Sequence, residues 1–208
     1  SDYLVQTATG TRALTHALLS GESIGSSPSV SLIDYDQDAE DQILAAILYP
    51  HTRQPLSQLR TFVKELSVEQ RTQIFDEYIG QRRHRRDKPG RALEHGYYTF
   101  DIIGNLGLYR DLQRHRILTQ ERQDFSTVHG YDTPIEIEQA GFQSTFDRCM
   151  EQASDLYEQL SADFPYEAQY VVPFAYRVRW YMKLNLREAI HVGELRTLPQ
   201  GHPDYRFI

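Results

Sequence analysis

The clearest pattern along the chain is an alternation of apolar and polar residues in two segments, which predicts β-strands. In residues 98–103 the apolar Tyr98, Phe100 and Ile102 alternate with Thr99, Asp101 and Ile103. In residues 174–184 six apolar residues share one face: Phe174, Tyr176, Val178, Trp180, Met182 and Leu184. The opposite face carries Arg177, Arg179 and Lys183. A short apolar run at residues 30–33 predicts a third strand.

Segments with helical periodicity lie around these strands. Asp38 is placed to cap a helix that runs through Tyr49 and stops at Pro50. Further helices are predicted at residues 56–66, 68–80 and 106–114. The longest predicted helix, residues 135–160, is followed by Pro165. It carries an apolar stripe at alternating spacings of four and three: Phe146, Met150, Ala153, Tyr157 and Leu160.

The last predicted helix follows the second alternating segment. Asn185 and Glu188 have the spacing of a capping box, in which the Asn185 side chain accepts from a free amide and Glu188 reaches back. The helix runs to about Arg196 and stops before Pro199. Helices and antiparallel strands in mixed order predict an α+β domain: an antiparallel sheet flanked by helices, plus one long helix.

The first 29 residues differ from the rest of the chain. A short helix is predicted at residues 11–19, and residues 20–29 are rich in Ser and Gly, as in a linker. We therefore expect a linker or N-terminal extension at 1–29 and one domain at 30–208. The chain ends at Phe207-Ile208, where another helix would begin, and this predicts one half of a longer tandem protein, with its C-terminal helix cut off.

Composition and charge narrow the classes of function. Hydrophobic residues make up 40% of the 208 and charged residues 25%, which is typical of a globular protein. The net charge of −7 disfavours a nucleic-acid or anionic-membrane binder, because both need a basic face. Cys149 is the only cysteine, so a reducing, cytoplasmic compartment is expected, and its position in the long helix predicts a core residue.

The usual catalytic signatures are missing from the sequence, and no metal site is predicted. What remains is Arg114-His115-Arg116 at a predicted helix end, where two guanidinium groups beside an imidazole can hold a diphosphate. An isolated tripeptide of this kind is more often a solvated helix end, and the same three residues recur at 83–85. That second copy lies in a basic run, residues 82–88, which we expect to be a mobile, solvated loop.

The order of three segments along the chain favours a functional role for the first copy, Arg114-His115-Arg116. These segments read LEHGYYTF at 93–100, RHRIL at 114–118 and NLREAIHVGELR at 185–196. Together they resemble the flavin-dependent thymidylate synthases, in which a His precedes an aromatic strand, RHR follows, and N-x-R-x-x-x-N-x-x-x-x-R comes late. His191 stands where that family has its second Asn. The resemblance covers roughly residues 30–208.

The resemblance implies a homotetramer with active sites at subunit junctions. Members of that family bind FAD and methylate dUMP reductively to dTMP, with methylenetetrahydrofolate as carbon donor and NADPH as reductant. By position, the FAD-binding residues would be His95, Arg114, His115, Arg116, Asn185, Arg187 and His191. Arg196 matches the arginine that meets the uracil and is the expected catalytic and substrate-binding residue, with Arg122 and Asp124 also on the nucleotide side.

The departures from the family pattern cluster on the nucleotide side. Asp111 replaces a Gln, Asp124 replaces the Ser that follows RHR, and Gln169 replaces a phosphate-binding Arg. These changes predict weak dUMP binding, with Arg122 as the candidate compensating contact. Three functions therefore stay open: thymidylate synthesis, flavin chemistry on another substrate, or a non-catalytic domain that scaffolds an oligomer.

Overall fold

The structure is a computed structural model that describes residues 1–206 of the chain. Four strands form one antiparallel sheet in the order β1-β2-β4-β3. Their bounds are β1 Val30–Tyr35, β2 Tyr97–Asn105, β3 Thr119–Arg122 and β4 Arg177–Asn185. The helices of the described chain are α1 Asp2–Leu18, α2 Ala39–Leu48, α3 Leu56–Phe62, α4 Val68–Ile79, α5 Leu106–Leu112, α6 Ile135–Gln139, α7 Gln143–Asp163 and α8 Leu186–Arg196. The predicted α+β class with an antiparallel sheet is confirmed.

The main core lies between one face of the sheet and α5. Trp180 and Val178 of β4 pack there with Ile102 of β2 and Leu112 of α5. These side chains come from the apolar positions of the two alternating segments, so the period-two pattern identified the buried face. Strand β4 begins at Arg177, however, and Phe174 is 55% exposed, because the chain turns away before the sheet starts.

Helix α2 joins two smaller cores. Its Ile43 and Ile47 face Leu93 and the partly buried Ile190 of α8, whereas its Leu44 and Ala45 face α3. Asp38 is the residue before α2, as predicted, but no hydrogen bond from its side chain caps the helix. Its carboxylate accepts from Gln42 and Arg60 instead, so the cap prediction was right in place and wrong in contact.

The predicted helix at 135–160 is two helices, which corrects the sequence analysis. Helix α6 ends in a Schellman motif: the Phe142 amide donates to Ile137, and the Gly141 amide donates to Glu138. Gly141 has φ +75°, a left-handed conformation that an L side chain disfavours. Helix α7 starts afresh at Gln143 and continues to Asp163.

The apolar stripe of α7 packs within the chain. Met150 is buried against Val172 and Tyr176, and Phe146, Ala153 and Tyr157 pack partly buried around them. The Tyr176 hydroxyl donates to the Met150 carbonyl at 2.7 Å, which fixes the helix against the segment before β4. Cys149 is exposed, contrary to prediction, because only this narrow stripe of α7 faces the core.

Helix α1, at the start of the chain, buries no residue. The segment after it is held against the sheet, since Arg179 donates to Ser27 at 2.9 Å. The helix expected to begin at Phe207-Ile208 lies outside the described residues. Among residues 1–206, every helix is too short or too polar to cross a membrane.

Candidate functional site

His115 is the centre of the candidate site. It lies just beyond the end of α5 and is 8% exposed. Its Nδ1 is 3.0 Å from the Glu188 carboxylate, and its Nε2 is 3.1 Å from the Arg196 Nε. Because a guanidinium can only donate, Nε2 must accept, and the ring proton is therefore on Nδ1, where it is donated to Glu188. The two contacts together fix one tautomer.

The surroundings of His115 keep its imidazole neutral. Burial is the largest cause and lowers the pKa of His115 below 6.5, while Glu188 opposes the shift and the charge of Arg196 adds to it. A proton on Nε2 would also point at the Arg196 guanidinium, which has no acceptor to offer. His115 therefore acts as a fixed hydrogen-bond acceptor for Arg196.

Arg196 is held at two points. Besides its bond to His115, its terminal nitrogen donates to the Asp111 carbonyl at 2.6 Å. The last turn of α8 is thereby fastened to the end of α5. The segments that carry Arg114-His115-Arg116 and Asn185 to Arg196 thus meet at one place in the fold.

The capping of α8 follows only half of the predicted capping box. The Asn185 side chain accepts from the Glu188 amide at 3.0 Å, as expected. The Glu188 side chain does not reach back, which corrects the prediction. It is 6% exposed and turns toward His115, because a buried carboxylate requires a donor and the imidazole supplies one.

Strand β2 ends in the same way, and the sequence analysis missed it. Asn105 is the last residue of β2, and its side chain accepts from the Leu108 amide at 2.9 Å. An Asn followed by an apolar residue after an alternating run was the available signal, since it is shared with Asn185. Because β2 and β4 are antiparallel, the helices that follow them, α5 and α8, begin at opposite ends of the sheet.

The first turn of α8 contacts the residues that precede β2. Arg187 donates to the Pro89 carbonyl and to Glu94, both at 2.8 Å. The hydrogen bond from Arg91, supported by Arg187, lowers the pKa of Glu94. His95, next to Glu94, is exposed. Arg187 is therefore joined, through Glu94, to the residue next to His95.

The basic run at 82–88 is solvated except at its first residue. Arg82 is partly buried and donates to Glu194 of α8 at 2.8 Å, so the prediction of a wholly solvated run was wrong there. Residues 83–88 are exposed, and the Asp87 carboxylate accepts from the Arg83 amide.

Two exposed arginines and an exposed histidine lie around the buried centre. Arg116 is exposed, and Arg114 is exposed although it pairs with Asp111 at 3.1 Å. His191 is exposed, with its ring 5.7 Å from that of His115. The donor atoms of His115, Glu188 and His191 lie within 4.8 Å of one another, which is close enough for a metal ion. A metal on Nδ1 would have to displace the proton that Arg196 places there, so hydrogen bonding suits this cluster better.

Arg122 and Asp124, two of the predicted nucleotide-side residues, lie on another part of the fold, whereas Arg196 is at the buried centre. Arg122 ends β3, where it pairs with Trp180 of β4. Asn185 lies five positions further along β4, a separation of roughly 17 Å along the strand. Arg122 donates to Gln169 at 3.4 Å, and Asp124 pairs with Arg12 of α1 at 2.5 Å. Sequence reasoning missed Arg12, because no local signal links residue 12 to residue 124.

Fold and site together define a class of protein: an α+β domain in which a buried carboxylate–histidine pair holds a half-buried arginine, with exposed arginines beside it. The sequence model of the thymidylate synthase complementing proteins matches residues 31–208. The chain belongs to this family.

Relatives with similar sequences are known from bacteria and an archaeon. The chain is 42% identical over 187 residues to a UPF0159 protein of Chlamydia pneumoniae, covering 90% of this chain and 35% of that protein. A UPF0159 protein of Chlamydia muridarum is 40% identical, with 86% and 34% covered. One of Thermoplasma acidophilum is 33% identical, with 86% and 36% covered. The chain thus spans about a third of the length of these relatives.

Proposed function

We propose that the protein is a flavin-dependent thymidylate synthase, which converts dUMP to dTMP with FAD, methylenetetrahydrofolate and NADPH. One observation carries the proposal: the buried hydrogen bonds that join His115 to both Glu188 and Arg196. They unite the two sequence segments that resemble the binding segments of the family. Membership of the family, over residues 31–208, supports it.

The donor set of this region fits an anionic cofactor such as FAD. Arg114, Arg116 and His191 are exposed donors around the buried centre, and they would hold the diphosphate and ring of FAD. His95 and Arg187 would contribute from the segment before β2 and the first turn of α8. Bound FAD would supply the hydride for the reaction, and the protein's part is binding and orientation.

The residues beneath the rim have a positioning role in this proposal. Neutral His115 and the Asp111 carbonyl together restrict the Arg196 guanidinium to one orientation. Arg196 is then already oriented before the uracil ring binds against it, so little further side-chain entropy is lost at each binding event. Asn185 serves the site indirectly, since it caps the helix that carries Glu188 and Arg196.

The separation of Arg122 and Asp124 from the flavin-side residues favours a site shared between subunits. Arg122 and Asn185 lie at different positions along the sheet of one chain. In a symmetric homotetramer the flavin-side residues of one subunit would face the nucleotide-side residues of another.

The test begins with the colour and spectrum of the purified chain. We expect the protein to retain FAD after gel filtration and to lose it in R116A, because a guanidinium contact to the diphosphate is removed. R60A is the matched control, since Arg60 is an exposed arginine that pairs with Asp38 far along the chain. Formation of dTMP from dUMP would then be followed by chromatography. A chain that never binds flavin would refute the proposal.

A second function is favoured by the altered nucleotide side. Asp124 and Gln169 stand where the family has a Ser and a phosphate-binding Arg. A flavin enzyme with another substrate, or a domain that completes a site for a partner chain, would carry such changes. Flavin retention without dTMP formation would indicate the former, and oligomerisation without flavin would indicate the latter.

A further inference from the structure

A cavity of about 650 Å³ lies beside the first turns of α5, where several parts of the chain meet. Lining residues come from α5, α6, α7, the segment before β4 and the segment after α8. Neither His115 nor Arg122 lines it, and it adjoins the candidate flavin site only at Asp111, whose carbonyl accepts from Arg196. The cavity is therefore a separate feature, with a volume that suits a small molecule.

Apolar side chains form much of the lining. Ile135 and Phe174 are 58% and 55% exposed, although both are large and apolar. The cavity also reaches Met150 and Phe146 of α7, which belong to the core around that helix. Exposed apolar side chains gathered in a concavity are typical of a binding site. The body of a ligand here would therefore be apolar or aromatic.

The charged groups of the lining favour a cation. Four carboxylates line the cavity, and neither Lys nor Arg does; the four belong to Asp111, Asp132, Glu136 and Asp204. Arg114 pairs with Asp111 at 3.1 Å, and Arg177 pairs with Asp132. Within residues 1–206, no arginine or lysine forms an ion pair with Glu136 or Asp204, although His202 lies 3.5 Å from Asp204. These two carboxylates can therefore receive the positive charge of a ligand.

Asn105 fixes two of the carboxylates in place. It is only 8% exposed, and its side-chain nitrogen donates to Asp204 at 2.7 Å and to Asp132 at 3.3 Å. Two negative groups thus converge on one amide in the cavity wall. Because like charges held close together repel, a cation placed between them and the solvent lowers the electrostatic energy of the pair.

The aromatic wall already carries a cation of the protein itself. The Arg110 guanidinium lies 4.6 Å from the centre of the Phe174 ring, within the range of a cation–π contact. Arg110 is exposed and, with Arg114 and Arg177, brings the bordering arginines to three. The four lining carboxylates therefore still exceed the bordering arginines by one.

We infer that this cavity binds a small organic cation, an ammonium or guanidinium group on an apolar or aromatic body. The body would lie on the apolar lining that includes Phe146 and Phe174. The charged head would meet the carboxylates of Asp204 and Glu136. The inference is independent of flavin and of dUMP, since the residues that carry it lie outside both sets of site residues.

The test is a titration of the full chain, followed by nuclear magnetic resonance, with three ligands that share a phenyl body. Phenethylamine is a cation, 2-phenylethanol is neutral and 3-phenylpropionate is an anion. We expect phenethylamine to bind at least about tenfold more tightly than 2-phenylethanol, and the anion to bind most weakly. A buffer near about pH 8 keeps histidine side chains neutral, so that they do not compete with the ligand.

Two glutamates of α6 provide a matched pair of variants. Both Glu136 and Glu138 are exposed, but only Glu136 lines the cavity. E136Q should weaken phenethylamine binding about threefold, because an exposed charge is partly screened by solvent. E138Q should leave it unchanged. The binding of 2-phenylethanol should be the same in both variants and in the unmodified chain.

Two further variants test the proposed contacts without removing a structural one. D204N should weaken phenethylamine binding about tenfold, while its carbonyl can still accept from Asn105. F174L keeps an apolar side chain and loses the aromatic face, so it should weaken the cation about threefold and the alcohol less. Coincident thermal melts would show that each variant is folded.

Equal binding of the amine and the alcohol would refute the charge preference, and preferential binding of the anion would overturn the inference outright. Amine binding that neither D204N nor E136Q weakens would place the ligand elsewhere and refute this site. Binding of none of the three ligands would also refute it. None of these titrations measures flavin retention or dTMP formation, so the cavity and the proposed function can fail separately.

Discussion

At the scale of single residues, the most informative contact is the one between His115 and Glu188. Both side chains are buried, and each satisfies the polar group of the other. Removing one partner from such a pair leaves the other buried without its hydrogen bond, and this costs more than the pair itself contributes.

Substitution of Glu188 tests this argument. E188A should lower the free energy of unfolding by about 2 kcal/mol, because the His115 Nδ1–H is left without its acceptor. E188Q should cost less, since its side-chain carbonyl can still accept. The control is E158A on the exposed face of α7. Urea denaturation measures all three, and equal effects of E188A and E158A would contradict the argument.

The lowered pKa of His115 predicts a pH dependence of stability. The folded pKa lies below 6.5, so in the window between the two values the unfolded chain binds more protons. Stability should therefore fall as the pH drops from about 6.5 through the folded pKa. H115N lacks this titration, so its decline from about pH 7.5 to pH 5 should be shallower. Parallel urea midpoints for the two proteins would show that His115 is not responsible.

The candidate site could be predicted from sequence only in part. The arginines and histidines were identified by motif order, and Asn185 by its position after an alternating run. The partners of these residues were not, because Glu188, His115 and Arg196 meet through the packing of α8 on α5. A capping box and a buried hydrogen bond to a neutral histidine can use the same Glu, and local spacing cannot choose between them.

At the scale of elements, the break between α6 and α7 shows how a single residue ends a helix. The spacing of apolar residues is helical throughout residues 135–160, so it predicted one helix and gave no sign of the helix end at Gly141. The signal was present as a Gly followed by the apolar Phe142, the sequence of a Schellman motif. The periodicity of side chains reports burial and does not report the conformation of one backbone position.

Two glycines provide a matched prediction. G141A should lower the free energy of unfolding by about 1 kcal/mol, because φ +75° strains an L residue although nothing lies within 4 Å of the added methyl. G193A should raise it by about 0.5–1 kcal/mol, because Gly193 is inside α8 and also has open space. Thermal or urea unfolding distinguishes them. Effects of the same sign would show that backbone conformation is not the cause.

At the scale of the whole molecule, the stripe of α7 does not explain self-association. It packs on Val172 and Tyr176 of the same chain, so the alternative of an ordinary core helix accounts for it. The prediction of a homo-oligomer rests instead on the family resemblance and on the separation of Arg122 and Asp124 from the flavin-side residues.

Sedimentation velocity tests this prediction on the full chain. We expect species larger than a monomer at roughly tens of micromolar protein, because a site shared between subunits requires a stable interface. Added FAD should favour the larger species if flavin bridges subunits. A monomer at every concentration, with and without FAD, would contradict both the oligomer and the shared site.

The sequence by itself determined strands β2 and β4, most of the helices around them and the faces of these elements that are buried. Alternation in β2 and β4 and the asparagines at their ends are local properties, and neighbouring residues are enough to express them. Only the tertiary structure decided that Glu188 serves His115, that Arg196 is fixed to α5, and that Arg12 lies on Asp124. These contacts join residues far apart in the chain, and their geometry depends on how the elements pack, which no local pattern encodes.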